Sequence, residues 1–233
     1  LGDTAVQESK RRVHMALRRS GFKLASGRTI TVNLAPADLR KSGPRYDLAI
    51  ALGLLIINGE VVIDKQKLAS MAFLGELALD GSLRHISGVL PGAIACRDEG
   101  IQTIVVPTAN GAEAALIPGL NVIAVDNLVE LIAILNGEQS PQAIVAPASS
   151  TALPKDLVDF ADVRGQDHCK RALEIAAAGG HNVLMSGAPG AGKTLLAKAF
   201  RGILPPLTQE ESIEVSQVYS IANLLRGDSP LMQ

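Results

Sequence analysis

Gly187-Ala188-Pro189-Gly190-Ala191-Gly192-Lys193-Thr194 fits the phosphate-loop pattern G-x-x-x-x-G-K-[ST]. Each fixed position has a physical job. Glycines at 187, 190 and 192 let the backbone bend so that its N–H groups point at phosphate oxygens. In this pattern Lys193 reaches the β- and γ-phosphates and the Thr194 hydroxyl ligates Mg²⁺. Just upstream, Asn182 to Ser186 (NVLMS) predicts a short buried strand. Just downstream, Leu195 to Arg201 predicts a helix that aims its positive N-terminal end at the phosphates. That strand–loop–helix order separates a nucleotide cradle from an ordinary glycine-rich turn.

Composition bounds the rest. The chain has 233 residues, 47% of them hydrophobic, enough for one large or two modest cores. The longest apolar run, Leu48 to Ile57, is broken by Gly53 and is far short of the roughly 18 residues a membrane span needs. The start, LGDTAVQESKRR, has no apolar signal-peptide region. Cys96 and Cys169 lie far apart, and the four histidines are scattered. No disulfide framework is expected, no metal other than nucleotide Mg²⁺, and a reducing compartment. Net charge is −1, yet residues 1–46 are strongly basic, with Asp3, Glu8 and Asp38 as their only acids.

Thr4 to Ser20 predicts a helix, with a Thr4/Gln7 capping box and Gly21 as its stop. Val6, Val13 and Leu17 share one face; Lys10, Arg11, Arg12, Arg18 and Arg19 fan across the opposite arc. The arc is a candidate contact for DNA phosphates or an ordinary solvated face. Thr29 to Leu34 predicts a strand, Tyr46 to Asn58 a buried helix, and Phe73 to Leu79 with Leu83 to Ile86 a hairpin around Asp80-Gly81. Helices over 89–99, 111–116 and 128–135 then alternate with strands over 103–106 and 122–125, an α/β domain ending near Gly137. Residues 138–155, rich in Pro, Ala and Ser, predict a linker. From about residue 156 a second domain carries a helix over 166–178, the phosphate loop, and a last helix opened by a Thr208/Glu211 capping box and running to about Leu225.

Hydrolysis needs an acidic residue at the end of a second strand and an arginine to meet developing charge. The acids after Thr194 are Glu210, Glu211, Glu214 and Asp228, and none follows a strand-like run. The expectation is therefore a fragment that begins with Leu1, binds nucleotide, carries no catalytic residue of its own, and has its second acidic motif beyond Gln233.

The run DFADVRGQDHCKRALEIAAAGGHNVLMSGAPGAGKT (159–194), the continuation GILPPLTQEE (202–211), and the upstream runs LGDTAVQESKRRV, ITVNLAPADLRKSG and GELALDGSLRHISGVLPGAIA resemble the YifB/ComM family of magnesium-chelatase-like AAA+ ATPases. The resemblance implies an ATP- and Mg²⁺-using, hexamer-forming P-loop α/β module over 156–233. It implies that Val163, Gly165 and Gln166 lie near the adenine. It further implies a bacterial cytoplasmic helicase that promotes branch migration of DNA in natural transformation or recombination.

Residues 1–137 resemble the Lon-protease-like (ribosomal S5 domain-2-like) α/β fold. Lon proteases use a serine in a turn like K-D-G-P-S-A-G and a lysine in a run like G-G-L-K-E-K. Here Arg45 stands at the serine's place in Lys41-Ser42-Gly43-Pro44-Arg45-Tyr46-Asp47, and Leu90 at the lysine's place in Ser87-Gly88-Val89-Leu90-Pro91-Gly92. With neither nucleophile nor base, covalent catalysis is not expected. The alternatives to a DNA motor are a metal-insertion ATPase of the magnesium-chelatase type and a nucleotide-dependent assembly module without motor activity.

Overall fold

A computed structural model describes residues 4–23, 30–34, 43–144, 158–225 and 231, with side chains from residue 8 onward. The residues divide into two compact units, 1–148 with 213–232, and 149–212. Residues 213–232, placed with the second domain on sequence, thus group with the first.

In the first unit the helix α1 spans Thr4–Arg19 and α2 spans Asp47–Ile57. A short helix α3, Lys65–Ala69, follows. Asp64 caps it, its Oδ1 accepting from the N–H groups of Gln66 (2.8 Å) and Lys67 (3.1 Å). Strand β1 is Met71–Phe73; β2 (Glu76–Leu77) and β3 (Leu83–Arg84) pair as an antiparallel hairpin. Gly81 closes that turn at φ +91°, and an added Cβ there would sit 2.1 Å from Ser20 Oγ. Helix α4 is Val89–Asp98, β4 Thr103–Pro107, α5 Thr108–Ala114, β5 Asn121–Val125 and α6 Leu128–Leu135.

Strands β1, β4 and β5 form a parallel sheet in the order β1-β4-β5. Successive side chains of a strand point to opposite faces. Accordingly Val105 joins the core with α1, α2 and α6, while Ile104 and Val106 join the core with α4 and α5. The run Thr103–Pro107 is apolar rather than alternating because both faces of a parallel sheet are covered.

Two polar nodes sit inside this unit. Asp47, fully buried in the first turn of α2, accepts from Arg12 Nε (2.8 Å), Arg12 Nη2 (3.4 Å), Ser9 Oγ and the Leu77 N–H (3.4 Å). Arg12 also pairs with Glu8 at 2.9 Å. The second node is Asn110 with Glu113. Asn110 donates to the Ile86 carbonyl (2.9 Å) and accepts from the Ile86 N–H (3.0 Å). Glu113 accepts from Leu90 N–H (2.9 Å), Asn110 Nδ2 (2.9 Å) and Ser220 Oγ. The last described helix, α9, spans Gln209–Ile221; its Ser220 carbonyl accepts from the Gly88 N–H at 3.1 Å.

In the second unit a 3-10 turn at Phe160–Asp162 is closed by an Asp159/Asp162 capping box. Helix α7 spans Asp167–Gly179 and α8 spans Lys193–Phe200. Val163, Leu173, Leu196 and Ala199 make its core.

The structure corrects three expectations. Asn182–Ser186 forms no ladder among the described residues, and Leu184 is 95% exposed. A strand exists by pairing, and among the described residues of the second unit no other segment offers an edge. Residues 30–34 likewise form no strand, leaving Ile30 and Val32 exposed. Phe73 belongs to the parallel sheet, not to the hairpin, which is only two residues long on each side. The Thr4/Gln7 side chains, Lys41, Ser42 and most of the 138–155 linker lie outside the described residues.

Candidate phosphate-binding site

The second unit builds its site around the N-terminus of α8. Gly192 is the N-cap at φ +83°, and Gly190 sits at φ +82°. An added Cβ at either would meet nothing within 4 Å, so it is the left-handed backbone that calls for glycine there. Bent this way, the loop leads straight into α8, whose first N–H groups have no partner inside the helix. Those groups and the helix dipole make a seat for an anion. The Lys193 ammonium folds back over the loop and donates to the carbonyls of Gly187 (2.7 Å) and Ala188 (2.8 Å). These bonds hold the cation over the cradle. Thr194, beside it, is exposed.

A cavity of about 260 Å³ opens beside the loop, lined by Gln166, Cys169, Ala172 and Leu173 of the α7 segment, by 183–186, and by Ala191, Lys193 and Leu196. Its lining combines apolar side chains with the Lys193 cation, a combination that suits a phosphorylated ligand. Gln166 takes a left-handed backbone at φ +60°, strained by about 1 kcal/mol for a residue with a Cβ. Its Nε2 reaches the Ala191 carbonyl at 3.4 Å. Gly165, at φ +64°, turns the chain into α7. Val163 is placed differently from the other two. Its side chain is in the core with Leu173 and Leu196, and its carbonyl accepts from the Lys170 ammonium. The loop residues Pro189 and Ala188 complete the cradle between Gly187 and Gly190.

Sequence reasoning missed Cys169, Ala172 and Leu173. The signal was present: they follow Gln166 at helical spacing, so one face of α7 carries all four. Among the described residues no three His, Cys, Asp or Glu side chains converge on a metal site.

In the first unit the basic arc loses a member. Lys10, Arg11, Arg18 and Arg19 are exposed, but Arg12 turns inward to Asp47. Its guanidinium is held above its ordinary pKa, first by the hydrogen bond to Asp47. Arg45 and the Ser87–Leu90 run are neighbours: a Cβ on Gly88 would lie 3.7 Å and 3.8 Å from the two terminal nitrogens of Arg45. Leu90 is fully buried.

These features define a protein of mixed helix and parallel sheet with a glycine-bent loop at the N-terminus of a helix. Its relatives define it further. The family described as "Magnesium chelatase, subunit ChlI" matches residues 159–233, and that described as "Subunit ChlI of Mg-chelatase" matches residues 1–110. YifB of Salmonella typhimurium is 42% identical over 226 residues, 96% of this chain and 43% of the relative. The competence protein ComM of Haemophilus influenzae is 41% identical over 224 residues, 95% of this chain and 43% of the relative. The chain belongs to the magnesium-chelatase-like YifB/ComM family. It spans less than half the length of these curated relatives. A partial likeness joins it to Lon protease 1 of Borreliella burgdorferi, 32% identical over 100 residues, 41% of this chain and 12% of the relative.

Proposed function

We propose that this chain is the nucleotide-binding part of an AAA+ ATPase of the ComM/YifB type that, as a whole protein, works as an ATP-driven helicase or branch-migration motor on DNA. The observation that carries the reading is the Lys193 ammonium held over a glycine-bent loop at the N-terminus of an eight-residue helix. ATP would exchange its β- and γ-phosphate oxygens for the loop carbonyls as partners of Lys193. The free N–H groups of α8 would take further phosphate oxygens. The Thr194 hydroxyl would join Mg²⁺ brought with the nucleotide, which neutralises phosphate charge.

Lys10, Arg11, Arg18 and Arg19 lie exposed on α1 and would neutralise DNA phosphates without reading sequence. Ring assembly, as a hexamer, and a bacterial cytoplasmic location belong to the same reading. Among the described residues no helix is long and apolar enough to cross a membrane. The first unit is taken as a protease-like fold without peptidase chemistry, since arginine and leucine stand where a nucleophile and a base belong.

The second reading is a metal-insertion ATPase, favoured by the magnesium-chelatase description of both matching families. A test separates the two: ATP hydrolysis by the intact protein with and without forked DNA, at fixed salt. Severalfold stimulation by DNA supports the motor; hydrolysis indifferent to every DNA tried overturns it in favour of the second reading.

A further inference from the structure

A second cavity, of about 220 Å³, lies in the first unit between Gly43, Pro44, Arg45, Glu76, His85, Ile86, Ser87 and Asn223. Its composition is unlike that of a packing defect, which is apolar. Arg45, Glu76, His85 and Ser87 bring a guanidinium, a carboxylate, an imidazole and a hydroxyl to one small space. Among the described residues none of these four side chains has a hydrogen-bond or ion-pair partner, nor does the Ser87 N–H. Arg45, Glu76 and Ser87 are half-buried and His85 is exposed, and Glu76 also feels the charge of Arg12, so the four groups line an open cleft where a ligand's polar atoms can replace water.

The walls are held from behind. The Arg45 carbonyl accepts from the Gly75 N–H at 2.9 Å, and Asn110 binds both polar atoms of the Ile86 backbone. Gly88, next to Ser87, is tied to the Ser220 carbonyl, and Leu90 to buried Glu113. The site is therefore built before a ligand arrives, which is how small-molecule sites are usually found.

We infer that this cavity binds a carboxylate that has a nitrogen donor beside it, as in a free amino acid or the C-terminal residue of a peptide. Arg45 offers the planar fork that matches a carboxylate, with the Ser87 N–H and hydroxyl as further donors. Glu76 accepts from the neighbouring ammonium or amide N–H. Glu76 in the same lining disfavours a phosphate, whose second negative charge it would repel. A volume of 220 Å³ suits one amino-acid residue. This inference goes beyond the nucleotide reading and does not depend on it.

The test is a titration of the intact protein, followed by ligand-observed NMR, with four probes: L-alanine, trialanine with a free C-terminus, trialanine amide and inorganic phosphate. Expected is saturable binding of alanine or free-acid trialanine; which of the two binds tells amino acid from peptide terminus. The amide should bind at least roughly tenfold more weakly, the scale of one lost charge-assisted pair. Arg45→Ala and Glu76→Gln should each weaken the better probe by a similar factor, and Arg45→Lys by less, with melting temperatures unchanged. Absence of binding by both alanine and free-acid trialanine overturns the inference. So does equal affinity for acid and amide, tighter binding of phosphate, or wild-type affinity in Arg45→Ala. Should Arg45→Ala fail to fold, the acid–amide contrast and Glu76→Gln decide.

Discussion

Arg12 Nε donates to Asp47 Oδ2 at 2.8 Å across 35 residues of chain, joining α1 to the first turn of α2. Asp47 has no solvent exposure, so its charge depends on Arg12, Ser9, the Leu77 N–H and the dipole of α2. Removing one partner of such a pair leaves the other uncompensated. Arg12→Ala, which leaves the buried carboxylate without its cation, should destabilise the protein by about 3–5 kcal/mol in chemical denaturation. Asp47→Ala should also destabilise it, though Arg12 keeps Glu8, and the double variant should cost less than the two single changes together. Additive losses would show that the pair is not coupled.

Lys193→Ala should leave the melting temperature near wild type, because its ammonium bonds only loop carbonyls at an exposed site. Binding of a fluorescent ATP analogue should fall at least roughly tenfold. Gly192→Ala should weaken binding too, by straining a φ of +83° at a cost of about 1–2 kcal/mol. Wild-type nucleotide affinity in Lys193→Ala would remove the lysine from its assigned role.

Cys169 supplies a label-based readout of the same cavity. It is exposed and lines the space beside Lys193, whereas Cys96 is half-buried and burial pushes its thiol pKa up. Maleimide should modify Cys169 faster than Cys96, and saturating ATP should slow modification at Cys169 severalfold. Protection of Cys96 instead, with Cys169 unaffected, would move the nucleotide away from α7.

On α1, Arg11→Ala and Arg19→Ala should each weaken DNA binding uniformly across sequences. Each should also lower the slope of log affinity against log salt by roughly one, measured by fluorescence anisotropy. Arg12→Ala, by contrast, should act through stability rather than through the salt slope. Unchanged slopes in Arg11→Ala and Arg19→Ala would make the arc a solvated face.

Glu211 caps α9: its Oε2 accepts from the Thr208 N–H (2.8 Å) and Oγ1 (2.9 Å), and these bonds hold its pKa below the ordinary carboxylate value. A depressed folded pKa means that the ionised cap stabilises the helix start above the ordinary value near 4.3. That contribution is lost as pH falls through the lower folded value. Amide exchange at Thr208 and Glu211, followed by NMR, should quicken below about pH 4. In Glu211→Gln, which removes the titrating carboxylate, the acid-dependent step should disappear; Thr208→Ala keeps the backbone donor and should only shrink it.

The alternating helices and strands of residues 89–135 were legible because their periods and turn residues agree with their burial. Ile104 and Val105 sit on opposite faces of the sheet, and each face is covered by helices. The phosphate loop and the Thr208/Glu211 cap were legible because both are local: every partner lies within a few residues. What was not legible is long-range. Nothing near Arg12 announces Asp47, so a cation destined for the interior read as one more member of a basic face. Asn110 and Glu113 sit in a seven-residue helix, and their partners Ile86, Leu90 and Ser220 come from three other places in the chain. Cys169 and Ala172 had a readable spacing, yet their role depends on where α7 lies beside the loop.

The exposed Leu184 between Val183 and Met185 has a practical consequence. A short, uncharged segment that exposes two neighbouring aliphatic side chains is the kind of surface that recruits other molecules. Solutions of this 233-residue chain will therefore tend to self-associate through residues 182–186 as concentration rises. Leu184→Lys should improve its solubility without touching Lys193. The residues leading into the phosphate loop thus set the colloidal behaviour of the molecule as well as the approach to its anion seat.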